Sequence, residues 1–267
     1  MKRLFAIGAV KALVAACALA FALPAVADPS SWTSYETIDG IKWSYEFVED
    51  HVAIVAQGGG EAAVYPKPTG TLKIPSKLGG WPVTSIGQNA FRNCIAITSV
   101  EIPNSVTYIG KDAFNCCSKM ESVTIPNTVT EIDACAFANC YAISKVTIPE
   151  SVTTIGAQAF IYCRALRSAV VPSGVKELGP WTFGYCTNLT EVVLPYGVTN
   201  IANYAVGCCT NLKVARVPLM FKGKDLSSAF YNCPDVEFRY CGTDTKNSVT
   251  WHYQLYETYA GSGTYNA

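Results

Sequence analysis

The sequence predicts a repeat solenoid, with short parallel strands on one side, short helical or 3₁₀ turns on the other, and an N-terminal β-hairpin cap. Three columns of residues carry that expectation. Pro103, Pro126, Pro149, Pro172, Pro195 and Pro218 recur every 23 residues. Cys94, Cys117, Cys140, Cys163, Cys186 and Cys209 keep the same interval. Phe91, Phe114, Phe137, Phe160 and Phe183 keep it too, with Val206 in the sixth place. A period in the twenties with apolar residues locked to it belongs to stacked units that share one continuous core.

Each unit reads in order. In ITSVEIP, Val100 and Ile102 alternate with Ser99 and Glu101, the mark of a short strand with one buried face. Pro103 ends it, because proline has no N–H to extend a ladder. Val106 and Ile109 turn inward, and Gly110 is expected to allow a tight turn. Ala113-Phe114 followed by Cys117 then reads as a short helical turn on the far side, before Met120 opens the next strand. Pro75 precedes Pro103 by 28 residues, the excess lying in IPSKLGGWPVTSIG.

The pattern L-x-x-V-x-I-P-x-x-V-T-x-I-G-x-x-A-F-x-x-C resembles the BspA-like, cysteine-bearing class of leucine-rich repeat over roughly 72–233. The departures are local: Asp133 and Ala202 replace the turn glycine, Val206 replaces Phe and Thr182 replaces Ala. A seventh unit, VPLMFKGKDLSSAFYNC, carries an extra residue and reads as a capping unit. The resemblance implies a non-enzymatic protein, secreted or on the cell surface, that adheres to proteins of a host or neighbouring cell.

The flanks differ from the repeat. Lys2 and Arg3, an apolar run and Ala25-Val26-Ala27 read as a signal peptide over 1–27, cleaved after Ala27. Val14-Ala15-Ala16-Cys17 loosely fits a lipidation box, but the apolar run continues past Cys17. No later stretch is apolar enough to span a membrane. Residues 28–70 alternate as an N-terminal β cap, with Gly58-Gly59-Gly60 a hairpin-turn candidate. The solenoid is assigned to 71–240, and the aromatic, glycine-rich 241–267 to a C-terminal cap or tail.

Composition narrows the function. Lys plus Arg and Asp plus Glu balance at 20 each, so nothing attracts nucleic acid or an anionic surface. The two histidines, His51 and His252, both lie outside the repeat. Without histidine, and with cysteines 23 residues apart, neither a zinc site nor an activated thiol is expected, and no cofactor is implied. In-register side chains of a parallel ladder point the same way, so the ladder cysteines are expected to be buried thiols donating weakly to turn carbonyls. Off the ladder stand Cys116, Cys135, Cys208, Cys233 and Cys241; Cys116 with Cys135 and Cys233 with Cys241 are candidate pairs, free thiols the alternative.

Two exposed columns remain. The strand side is a flat, mildly polar face that includes Ser99, Ser122, Lys145 and Ser168. On the far side, Tyr162 and Tyr185 in one column and Trp181 and Tyr204 in another gather over units four to six. Aromatics with polar tips suit protein contacts or sugar stacking, and they equally shield the edge of a core. Protein binding, glycan binding and a ligand-free spacer are therefore the three readings to separate. Asn188-Leu189-Thr190 is a glycosylation sequon.

Overall fold

The computed structural model describes residues 33–56, 62–244 and 251–256, with side chains through 241. The expected signal peptide, Cys17 and the Gly58-Gly59-Gly60 turn lie outside the described residues. The chain is a solenoid of about seven coils, closed at the N-terminus by strands Thr33–Ile38, Ile41–Val48 and His51–Ile54 in antiparallel order. His51–Ile54 then runs parallel to Trp81–Ile86, so the cap feeds directly into the first coil. Trp43 stands edge-on against Phe91, centroids 6.1 Å apart, and closes the end of the phenylalanine spine.

On the strand side, Ile97–Glu101 pairs in parallel with Gly70–Lys73 and with Ser122–Thr124. Ser168–Val170, Glu191–Val193 and Val214–Pro218 form a second parallel ladder, which continues into Glu237–Asp244. The last strand, Trp251–Tyr256, pairs antiparallel with Glu237–Asp244. The expected division at 240/241 therefore falls inside a strand. Val100, Val123, Val146, Ala169, Val192 and Ala215 face inward by the two-residue alternation of a strand and are buried.

The two strand ladders are interrupted at one place. Thr147 makes a single bridge to Thr124, and no strand pairing joins residues 144–148 to Ser168–Val170. The short ladder that follows each proline, Tyr108–Ile109, Glu131–Ile132 and Thr154–Ile155, likewise stops before Glu177–Leu178. Across that junction the Arg167 backbone N–H donates to the Ser144 carbonyl at 3.3 Å, and the Glu150 carboxylate accepts hydrogen bonds from the backbone N–H and hydroxyl of Ser173, at 3.0 and 2.8 Å.

The far side narrows one expectation: the coils turn there without an α-helix. Among the described residues the one helical segment is the 3₁₀ turn Leu219–Phe221. The reason lies in where the amides go. The N–H groups of Ala113, Asn115 and Cys117 bond back within their coil, to Gly110, Asp112 and Phe114. Those of Asp112, Phe114 and Cys116 donate across to Ala134, Ala136 and Ala138 of the next coil. Every second amide leaves the coil, so the consecutive i→i−4 bonds of an α-helix never form. Asp112 and Cys116 sit at φ +56° and +63°, left-handed positions that close successive turns.

The thiols form a column in the core. Cys117, Cys140, Cys163, Cys186 and Cys209 each donate to the carbonyl of the ladder phenylalanine one coil back, at 3.0–3.3 Å. Cys233 does the same toward Val206, at 3.2 Å. It is a seventh rung, not an off-ladder cysteine; the extra residue of its unit hides it from simple counting. All eleven described cysteines are free, so neither candidate pair is a disulfide.

The turn glycine also has a different cause from the one expected. Gly110 and Gly156 are not among the positive-φ glycines. What they require is room for the neighbouring coil. A Cβ on Gly156 would overlap the Ala134 nitrogen and stand 2.6 Å from the Asp133 carbonyl carbon, whereas one on Gly179 would meet nothing nearer than 3.2 Å. Gly156→Ala should therefore destabilise by about 3 kcal/mol, as overpacking against backbone does. Gly179→Ala should be near neutral, its tightness offset by the reduced freedom of the unfolded chain. Urea midpoints of the two variants check this; equal midpoints would remove close approach as the explanation.

Candidate functional site

The four aromatics singled out by sequence come together on the turn side. Tyr162 stacks on Tyr185 at 4.6 Å and 17°, Tyr185 on Trp181 at 5.3 Å and 15°, and Trp181 on Tyr204 at 4.7 Å and 5°. They form one file of near-parallel rings, Tyr162 on Tyr185 and Trp181 on Tyr204 between adjacent coils and Tyr185 on Trp181 within one coil. Two residues that column-by-column reading missed extend it. Tyr231 meets Tyr204 edge-on at 5.5 Å, and Tyr141 is linked to Tyr162 by the Arg164 guanidinium, 5.1 Å above one ring and 5.8 Å above the other. Tyr141 directly follows a ladder cysteine, and Tyr231 stands two residues before Cys233, in the column of Gly184 and Gly207 rather than in either aromatic column.

The backbone beneath the file is unusual for these residue types. Tyr162, Trp181, Tyr185 and Tyr204 all have positive φ, between +57° and +63°. In other coils the same places hold Asn89, Asn93, Asp112 and Asn139, and also Cys116, Cys135, Gln158 and Cys208, all at positive φ. Asn and Asp visit this region readily, while a bulky L-residue there costs roughly 1–2 kcal/mol. Ring stacking returns about 0.5–1.5 kcal/mol per pair. The aromatics are thus close to neutral for folding, and asparagine would serve the turn as well.

Two glycines make room for the central ring. A Cβ on Gly184 would stand 2.6 Å from Trp181 Cε3, and one on Gly207 3.0 Å from its Cζ3. The indole therefore rests its benzo edge on bare backbone, and the opposite edge carries the N–H. Tyr204 and Tyr231 are 39% and 55% exposed, and Tyr141 41%, so the file is reachable from solvent along its length. The Cys208 thiol, hydrogen-bonded to the Tyr185 phenol, holds that phenol above its ordinary range.

The strand side offers less. Ser99 donates to Thr71 at 2.8 Å, Arg216 pairs with Glu191 at 2.7 Å, and Lys73 lies 3.7 Å from Glu101. Val170 is exposed among the described repeat strands there, while Val48 and Tyr65 are exposed on strands of the N-terminal cap. Asn188 of the sequon is exposed in a turn. No group of three His, Cys, Asp or Glu side chains among the described residues is placed to hold a metal ion. No described helix is long and apolar enough to cross a membrane.

Stacked 23-residue coils with a thiol rung in each and a phenylalanine rung in all but one define a leucine-rich repeat solenoid. The chain belongs to the BspA-type leucine-rich repeat family, whose model matches in six copies over 71–183 and 110–237. It is similar to the T. pallidum leucine-rich repeat protein TpLRR, at 29% identity over 71% of this chain and 84% of that one, with a TM-score of 0.58. A leucine-rich cell surface protein of Faecalibacterium prausnitzii is 25% identical over 73% of this chain and 55% of its own, TM-score 0.50. The pneumococcal vaccine antigen PcpA shares the fold, with a TM-score of 0.55 at 16% identity over 78% of this chain and 48% of that one. No curated protein matches.

Proposed function

We propose that this protein is a non-catalytic binding protein, secreted or held at the cell surface, that engages a protein partner through the aromatic file on its turn side. One observation carries the reading: four bulky aromatics gather at left-handed positions over adjacent coils, where the other coils hold smaller Asn, Asp, Cys or Gln. Residues kept where the backbone disfavours them, without a folding return, point to a use outside folding. A spacer has no need of them. The likeness to a cell surface protein supports the location.

Glycan binding is the weaker alternative. Sugar stacking needs an open ring face, and Tyr185 and Trp181 each stack against two neighbours. What the file offers is ring edges and polar tips, which suit a polypeptide.

The test is a screen of the full chain against matrix and surface proteins alongside a glycan array, repeated with Tyr185→Asn. Tyr185→Asn should leave stability within about 1 kcal/mol, because strain relief offsets lost stacking. Binding of the protein partner should fall at least roughly tenfold. Undiminished binding would move the site to the strand face; sugar binding alone would overturn the protein reading.

A further inference from the structure

Resting on that reading, we infer the kind of partner: an acidic segment of polypeptide that sets a carboxylate on Arg164, at the Tyr141 end of the aromatic file. The described chain has five arginines, and their surroundings differ. Arg92 donates to the Asn89 side chain at 3.3 Å, Arg216 to Glu191 at 2.7 Å, and Arg239 to Glu237 at 2.9 and 3.2 Å. The guanidinium groups of Arg164 and Arg167 make no hydrogen bond or ion pair within the described molecule. Of these two, Arg164 is the one held by rings, 5.1 Å from the Tyr141 centroid and 5.8 Å from that of Tyr162. A cation–π contact fixes the group through the ring face and uses none of its N–H donors. The result is an exposed guanidinium, already placed, with its fork open. A carboxylate is the side-chain group that matches that fork bidentately.

No carboxylate of the chain competes for it. Residues 156–166, 179–189 and 202–212, the turn sides of the three coils that bear the file, contain no Asp, Glu or Lys, and Arg164 is their one charge. Toward the N-terminus the turn sides add Arg92, Lys111 and Lys119 against Asp112 and Asp133. Both of those carboxylates are engaged, Asp112 by the Asn115 amide and Asp133 by the Tyr108 hydroxyl and the Ala134 N–H. In the last coil Asp225 accepts from the Ser227 N–H, and Asp235 pairs with Lys213. The neutral groups exposed beside the file, Asn188, Asn203, Thr210 and Asn211, each donate and accept, so they admit an acidic segment without selecting it. The charge at Arg164 makes the selection. The chain's balanced total conceals this, because Glu36, Asp39, Glu46, Glu49 and Asp50 gather in the N-terminal cap against Lys42.

The neighbours of Arg164 give such a contact its strength. Tyr162 stacks on Tyr185, and Trp181 and Tyr204 continue the file. Arginine, tyrosine and tryptophan thus stand together, the three residue types in which interface hot spots are richest. Rings beside an ion pair keep water from it, and the pair is stronger where water is excluded. A polypeptide supplies both halves of the match, a carboxylate for the guanidinium and apolar side chains for the ring edges. A sulfated glycan supplies the anion but sets hydroxyls against the rings.

Fluorescence anisotropy of a labelled peptide of alternating Glu and Leu, titrated with the full chain, tests this; the control replaces each Glu by Lys. Saturable binding of the Glu peptide without binding of the Lys peptide is expected, and it should weaken as added salt screens the charges. Arg164→Gln should weaken it about tenfold or more. Arg164→Lys, which keeps the charge and loses the fork, should recover only part of that loss. Arg167→Gln, at the other unbonded arginine, should leave binding unchanged. Absence of Glu-peptide binding by protein with a native circular dichroism spectrum would overturn the inference, as would equal losses in Arg164→Gln and Arg167→Gln. Heparin bound where the Glu peptide is not would overturn it too. If the Glu peptide fails while a partner from the screen binds and is lost in Tyr185→Asn, the acidic assignment falls and the protein-binding reading stands. If the screen also yields no protein partner, both fall.

Discussion

Phe137→Ala is expected to lower stability by about 3–5 kcal/mol, the range for truncating a buried phenylalanine. The ring is fully buried at the centre of the spine. It lies 5.3 Å from Phe114 on one side and 5.3 Å from Phe160 on the other, within 7° of parallel to both. Neither neighbour can close the gap, because each is fixed by its own coil and by the next ring along. Phe137 N–H donates to the Ala159 carbonyl, and its own carbonyl accepts the Cys163 thiol, so the backbone is also held in place. The cavity would therefore persist and carry its full cost. Position 206 supplies the internal comparison, since valine already fills that rung and is buried there. Urea unfolding followed by fluorescence and far-UV circular dichroism would measure the change. A loss under about 1 kcal/mol would mean that the coils relax independently and the spine is not a continuous structure.

The second large effect is loss of stability at alkaline pH. Burial raises the Cys94 thiol to about 11 and the Cys163 thiol to about 12, and pushes Cys140 well above its ordinary value. In the unfolded chain these thiols ionise near 9. Between the two values the unfolded state has released protons that the folded state still holds. The stabilisation is thus complete below pH 9 and is lost as pH rises through the folded values. Each thiol contributes a slope approaching roughly 1.4 kcal/mol per pH unit within that window, and several act together along the column. Thermal unfolding from pH 7 to 11 should show a flat region, then a steep fall above about 9. Exchanging Cys140 and Cys163 for alanine should make that fall shallower. A parent profile flat to pH 11 would contradict the buried thiol column.

Much of this architecture is legible in the sequence, for a physical reason. A solenoid repeats its contacts at the same interval as its sequence, so the proline, phenylalanine and cysteine columns display the core directly. The features that escaped are those in which one coil acts on the next. The run KDAFNCC has no residue that forbids a helix, yet amides donated to the adjacent coil exclude one. Left-handed backbone is readable at Asn93 and Asn139 but masked at Trp181 and Tyr185, whose types argue against it. Gly156 suggests a turn and in fact marks the close approach of residues 133–134. The gathering of Tyr162, Trp181, Tyr185 and Tyr204 was visible from spacing; their stacking order and the addition of Tyr141 and Tyr231 needed coordinates.

The interrupted ladders between residues 144–148 and 168–170 have a mechanical meaning. A solenoid under tension shares the load among whatever bonds cross each junction in parallel. Most of these junctions have strand pairing on one side and turn amides on the other. The one that joins Thr154–Ile155 to Glu177–Leu178 lacks strand pairing in both ladders, leaving on that side the Arg167–Ser144 backbone bond and the Glu150–Ser173 bridge. Extension should therefore begin there, on the strand side. The turn side keeps its amides from Gln158, Phe160 and Tyr162 and acts as the pivot. The Tyr162–Tyr185 stack spans that pivot, so a load on the chain would first be felt at the edge of the aromatic file.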